Sequence, residues 1–303
     1  MTIKVGCCGY PVSIRRYQEV FQVVELNSTF YEYPRDSSVE KWRRESPKDF
    51  EFTVKANQEI SHKHKLKIEF VAEAFKKMKR ICQILKARIL LIQTPGSFKP
   101  DRLDDAYEFF EKLEKENLTL VWETRGDLWQ KAEVQNELRT ILEKVDVSHV
   151  TDPFKIMPAY TSHLAYFRLH GLGKRMYYYQ YTDEEFRKLY DRVEPFNQPD
   201  HEVYVFFNNL SMFEDARRFL FFLEKREFPS LTGTVGLDSV RVVIDRTRYP
   251  LTKSMLMKKL GWRIAELEQG KQVRLEELLR NLPSKSYKNA EEVIQEIRLA
   301  RSY

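Results

Sequence analysis

The run Val23-Val24-Glu25-Leu26-Asn27-Ser28-Thr29-Phe30-Tyr31 decides the fold, because an apolar strand within it ends on a carboxylate. Strand side chains alternate faces, so Glu25, Asn27 and Thr29 share one side. Three further runs have the same character: Phe52-Thr53-Val54-Lys55-Ala56-Asn57, Leu120-Val121-Trp122-Glu123-Thr124-Arg125 and Ala165-Tyr166-Phe167-Arg168-Leu169-His170. Taking ions out of water is costly even when they are paired. A chain that sets ionisable groups on several core strands is more readily building a site than a core.

Working outward, strand-like runs occur at 3–8, 23–28, 50–55, 88–93, 119–123, 147–150, 164–170 and 202–207. Most are β-branched or aliphatic without clean alternation, as parallel strands buried on both faces require. Helical spacing fills the intervals at 68–85, 104–116, 134–144 and 183–193, and follows the eighth strand at 213–225. The alternation predicts a parallel α/β fold, and eight units favour a (β/α)8 TIM barrel over an open sheet. No Gly-rich dinucleotide fingerprint or phosphate loop is present, which argues against nucleotide-binding folds of those types. Beyond residue 229 the pattern changes. Residues 240–245 read as a strand, and 252–260, 274–282 and 289–300 as helices. The expected organisation is a barrel at 1–225 and a small, mostly helical C-terminal module at 226–303. Its short helices leave a helix-turn-helix open, beside a dimerising or barrel-covering role.

The chain has 303 residues, 42% hydrophobic and 32% charged, a composition of folded rather than disordered proteins. No apolar run approaches the ~20 residues of a membrane span. The N-terminus enters a strand without a signal peptide, and three cysteines, two of them adjacent, cannot build a disulfide framework. A cytoplasmic protein with no membrane partner is expected, its oligomeric state left open. Charge is unevenly placed. Residues 1–225 hold 36 Lys and Arg against 35 Asp and Glu, while 226–303 hold 15 against 10. That basic tail could attract nucleic acid or another anion, or be a solvated helical surface.

Several segments carry a resemblance. They are Val5-Gly6-Cys7-Cys8-Gly9-Tyr10, Val24-Glu25-Leu26-Asn27-Ser28-Thr29-Phe30-Tyr31, Trp42, Phe50-Glu51-Phe52-Thr53-Val54-Lys55-Ala56 with Ile60-Ser61-His62, and Leu91-Ile92-Gln93-Thr94-Pro95. Glu123-Thr124-Arg125, Asp152, Arg168-Leu169-His170-Gly171 and Phe207-Asn208-Asn209 follow. In this order they resemble the YecE-like family (domain of unknown function 72) over roughly residues 3–225. The resemblance implies a (β/α)8 barrel distantly similar to the xylose-isomerase-like group, and it implies no established reaction. His62 falls where the family places a histidine; Cys7-Cys8 departs from the Thr-Ser common in other members.

In barrels of this type active sites lie at the C-terminal ends of the strands. There Glu25, Glu123 and Asp152 stand against Lys55, Arg125 and Arg168. Glu25 and His170 are the candidate acid–base pair, with Glu123 orienting or sharing that role. Lys55, Arg125 and Arg168 can hold an anion. Asn27, Asn208, Asn209, Tyr10, Tyr31 and His62 complete the substrate-binding set, and the tyrosines at 177–181 could stack a base or sugar. The competing reading is a plug of ion pairs. A Schiff base at Lys55 and a redox pair at Cys7-Cys8 are weaker alternatives. The cofactor is unknown. A divalent metal is not favoured, since no His-Glu-x-x-His or Cys-x-x-Cys spacing occurs. These residues point to an enzyme acting on a phosphate-bearing or other anionic substrate, first a phosphodiester or nucleic-acid hydrolase. The alternatives are a non-catalytic nucleic-acid-binding protein using the basic module, a sugar-phosphate isomerase or lyase, and a metabolite sensor.

Overall fold

The computed structural model describes residues 3–301, which part into two compact units. The first comprises Met1–Leu169 and Asp191–Asn208. It holds eight strands: β1 (Ile3–Cys7), β2 (Val23–Leu26), β3 (Glu51–Lys55), β4 (Ile89–Gln93), β5 (Thr119–Glu123), β6 (Ser148–Val150), β7 (Leu164–Leu169) and β8 (Glu202–Phe207). All pair in parallel, as one five-stranded sheet ordered β2-β3-β4-β5-β6 and one three-stranded sheet ordered β1-β8-β7. Single parallel bridges, Cys8 with Glu25 and Thr151 with Phe167, join β1 to β2 and β6 to β7 at their C-terminal ends. The predicted strands therefore stand, each within two residues of its expected bounds.

Alternation decides what lies where. Cys8, Val23, Leu91, Val121, Val150, Tyr166, Tyr204 and Phe206, drawn from seven strand segments of both sheets, form one buried cluster. Other strand residues face helices. The helix Ile68–Leu85 buries Val71, Ala74, Phe75, Met78, Ile81, Cys82 and Leu85, spaced three and four apart as one helical face requires. It stops at Lys86, whose φ of 57° is left-handed. The helix Ala132–Val145 stops the same way at Asp146, φ 52°. At the strand starts, Lys4 Nζ donates to Glu51 at 2.7 Å, Glu202 at 2.8 Å and the Tyr204 hydroxyl at 2.9 Å, and Arg88 bonds the same two carboxylates.

Among the glycines of the first unit, Gly6 has the least room for a side chain. A Cβ there would lie 2.5 Å from the carbonyl oxygen of Val23 and 3.1 Å from the Tyr17 hydroxyl. That hydroxyl accepts from the Cys7 amide at 2.7 Å and donates to Val23 O at 2.9 Å, so one buried phenol ties β1 to β2.

The second unit comprises His170–Tyr190 and Asn209–Tyr303. Its helices include Met212–Lys225, Leu237–Ile244, Lys253–Leu260, Leu275–Leu279 and Ala290–Arg301. The first of these ends at Arg226, φ 59°. The segment expected as a strand at 240–245 is helical: Val240, Val243 and Ile244 recur at helical spacing and are buried together with Leu256, Leu275 and Ile294. An antiparallel hairpin, Ile264–Glu268 with Lys271–Arg274, was not expected. Its turn depends on Gly270, φ 74°. The helix read at 274–282 is confined to Leu275–Leu279.

Gly6→Ala should lower the stability of the first unit by about 1–3 kcal/mol, because the clash is with backbone that cannot give way. A urea titration checks this: the midpoint falls while the slope stays unchanged.

Candidate functional site

Parallel strands that run the same way deliver their last residues to one end, and the charged residues stand there. Glu25 is the penultimate residue of β2, Lys55 ends β3, Gln93 ends β4, Glu123 ends β5 and Arg168 is penultimate on β7. Glu25 and Arg168 are 0% and 1% exposed, and Glu123 is 4% exposed. The Arg168 guanidinium bridges the two carboxylates. Its Nη2 donates to Glu25 Oε1 at 2.8 Å and its Nη1 to Glu123 Oε2. Glu25 also accepts from Asn27 Nδ2 at 2.7 Å and from the Tyr166 hydroxyl at 2.8 Å, and Thr53 Oγ1 lies 2.8 Å from that hydroxyl. Burial alone would raise the Glu25 carboxyl, but Arg168, Lys55 and Asn27 outweigh it and hold it below the ordinary value. Glu25 is thus a carboxylate held in place by three donors, Arg168, Asn27 and Tyr166. Arg168 Nε is buried and has no acceptor among the described residues.

Around this core stands a more open set. Arg125 Nη2 pairs with Glu123 Oε1 at 2.8 Å, its side chain 20% exposed. Lys55 is 8% exposed. Its Nζ donates to Gln93 Oε1 at 2.6 Å and lies 4.0 Å from the centre of the Phe30 ring, and it makes no ion pair among the described residues. Burial and the neighbouring Arg168 lower the Lys55 ammonium to about 8, against the opposing pull of Glu123 and Glu25. His62, half-buried, packs edge-on against Phe30 at 4.9 Å. Burial, then Lys55 and Arg125, hold its ring below the ordinary histidine value. Two ties set the β2–β3 corner: Thr29 Oγ1 donates to Lys55 O at 2.7 Å, and Asn57 Nδ2 to Thr29 O at 2.9 Å.

Glu25, Glu123, Arg168, Arg125, Lys55, Asn27 and His62 are therefore brought together. Tyr10 instead packs edge-on against Tyr17 at 5.0 Å, and Tyr31 is 73% exposed beside Phe30. The aromatic under Lys55 is Phe30. Asn208 continues β8, its amide bonding Leu169 O at 2.8 Å. Asp152 caps a turn, accepting from the Phe154 amide at 3.1 Å. Cys7 and Cys8 are buried, and burial raises the Cys8 thiol above its ordinary value, the opposite of an activated thiolate. His149 received no role from the sequence. Its Nδ1 accepts from the Ala159 amide at 3.2 Å, so Nε2 carries the proton and meets Thr124 Oγ1 at 3.1 Å, steadying the segment that bears Glu123 and Arg125. Tyr166 was likewise missed as a partner of Glu25; a tyrosine two residues before Arg168 on the same face was the available signal.

His170 and Asn209 belong to the second unit. His170 is buried, its ring 6.0 Å from that of Tyr177. Asn209 Nδ2 donates to Tyr179 O at 2.8 Å and to Asp215 at 2.6 Å, which anchors the 171–181 loop. Gly171, φ 89°, makes room within that loop: a Cβ there would lie 2.4 Å from Tyr179 Cβ. Among the described residues no three His, Cys, Asp or Glu side chains gather as a metal site, and no helix is long and apolar enough to cross a membrane.

Comparison with known proteins gives this architecture relatives. UPF0759 protein YunF of Bacillus subtilis is 24% identical over 230 residues, 65% of this chain and 80% of YunF. UPF0759 protein YecE of Escherichia coli K12 is 28% identical over 140 residues, 46% of this chain and about half (51%) of YecE. A solved DUF72 family protein from Enterococcus faecalis V583 superposes with a TM-score of 0.60 at 24% identity, over 74% of this chain and 97% of that one. Another from Thermotoga maritima MSB8 gives 0.58 at 23% identity, over 74% and 100%. The sequence profile described as "Protein of unknown function DUF72" matches residues 10–231. On that match, the chain belongs to the DUF72 family.

Proposed function

We propose that the eight parallel strands close as a (β/α)8 barrel whose C-terminal face is an acid–base site for a phosphate-bearing or other anionic substrate. The two bridges that join the sheets support closure, and the placement of every charged partner at strand C-termini supports the site. The observation that carries the reading is Lys55: an amine without an ion-pair partner among the described residues, lowered to about 8, beside Arg125 and His62. A structural ion pair would have been closed on itself. This amine keeps donor capacity beyond Gln93 and titrates close to neutral pH, as a proton-transfer group must.

In this reading Arg125 and Lys55 receive the anion, with Asn27 and Gln93 at their sides. Lys55 gives or takes the proton. Glu25, Glu123 and Arg168 do not touch the substrate; they form a rigid charged floor that sets the positions of the groups above it. Proton transfer thereby moves from Glu25, where the sequence suggested it, to Lys55. Phosphodiesters, including nucleic-acid fragments, are the first substrate class to assay, because two cations suit phosphoryl oxygens. Sugar phosphates are the second.

Sulfate, which keeps its charge across the relevant pH range, tests the site directly by calorimetry. Lys55→Met should weaken sulfate binding about 10–100-fold, the worth of one charged hydrogen bond, with the thermal midpoint little changed. Unchanged affinity would remove the reading. Since Lys55 is cationic below about 8, affinity in the wild-type protein should fall as pH rises through that value. Lys55→Arg, still charged there, should abolish the fall. Arg168→Met should instead cost about 3–5 kcal/mol of stability in urea, because it leaves two carboxylates buried without their counter-ion.

A further inference from the structure

The second unit carries a groove that the strand-end site does not use. It measures about 560 Å³ and is lined by five basic side chains against one carboxylate, Glu276. Lys174 and Arg175 come from the loop after His170, Lys258 from the helix Lys253–Leu260, and Arg280 from the residue that ends Leu275–Leu279. All four are exposed, and none makes an ion pair among the described residues. Arg274, the fifth, is committed elsewhere: it lies 3.9 Å over the Tyr179 ring and bonds Gln180 O at 3.1 Å and Glu185 at 3.3 Å.

Two aromatic rings stand among these cations. Tyr178 and Trp262 are half-buried and meet edge to face at 6.1 Å. The Trp262 ring is held by a 2.8 Å bond from Nε1 to Lys259 O, and the Arg175 guanidinium covers Tyr178 at 3.3 Å. A guanidinium over a ring, with no carboxylate to hold it, brings a second surface and a charge together. A second groove of about 850 Å³ adjoins the first, since Met257 and Lys258 line both. It adds Lys253, Thr252, Ser254, Ser284 and Ser286, and Lys285, which pairs with Glu296.

A small anion needs converging cations in one pocket. Here the cations come from separate segments and continue through Lys258 into a second groove, with flat rings beside them. Repeated phosphates and stackable bases fit that layout. We infer that this face of the second unit binds single-stranded nucleic acid, with Lys174, Lys253, Lys258 and Arg280 along the phosphates, and with Trp262 and the Arg175-covered Tyr178 against the bases. The inference stands apart from the strand-end reading, which concerns other residues.

Fluorescence anisotropy with labelled oligo-dT and oligo-U of about 12 nucleotides, and a duplex of equal length, tests it on the full chain. Both single strands should bind more tightly than the duplex, and binding should weaken steeply with salt. Lys258→Glu with Arg280→Glu, two exposed positions without ion pairs among the described residues, should weaken single-strand binding at least tenfold. The same double variant should flatten the slope of log affinity against log salt by about 1.4, since each of the two phosphates no longer neutralised removes roughly 0.7. Tyr178→Leu should weaken binding without changing that slope. A preference for oligo-U would assign RNA, and equal affinity either polynucleotide; both support the inference. No binding at low salt, preference for the duplex, or affinity abolished in Lys55→Met but kept in the double charge reversal would overturn it.

Discussion

One guanidinium holds the ends of three strands. Arg168, on β7, reaches Glu25 on β2 and Glu123 on β5, and each carboxylate passes the constraint on. Glu25 hands it to Asn27 and Tyr166, and Glu123 to Arg125. Ions this deeply buried are retained only if every one is answered, because any member left alone would bear the full cost of leaving water. The charges therefore act as a mutual lock. Side chains that must keep their partners cannot wander, and the groups above them inherit that fixity.

The fold was legible because parallel strands declare themselves. Buried on both faces, β4 reads Ile89-Leu90-Leu91-Ile92, a run that needs no alternation to be recognised. The helix at 237–244 was misread for the same reason: Val240-Arg241-Val242-Val243-Ile244 is β-branched, and four of its five residues are apolar. Propensity favours a strand there, whereas burial of Val240, Val243 and Ile244 on one face selects a helix. Short apolar runs do not distinguish the two until a partner surface is known.

The candidate site was half legible. Charged residues at strand ends announce that they will meet, and Glu25, Glu123, Lys55, Arg125 and Arg168 do. Sequence could not say which would be sealed and which would stay reachable. Glu25 and Lys55 look alike on paper, each a lone ion ending an apolar run. One is fully enclosed and answered by three donors; the other keeps a single neutral acceptor and an aromatic face. That difference is set by Tyr166, Gln93 and Phe30, neutral residues whose roles exist only once distant strands are side by side. Asn209 shows the converse: a polar residue after a strand suggested substrate, and it serves the backbone of a loop.

Three helices end at residues with left-handed backbone that are not glycine: Lys86, Asp146 and Arg226. A side chain there strains the native turn by about 1 kcal/mol or more. It also narrows what the denatured chain can explore, which returns a comparable amount. With only ten glycines in 303 residues, the polypeptide is stiff before it folds. Part of its resistance to unfolding thus resides in no native interaction at all, but in how few shapes the disordered polymer can take.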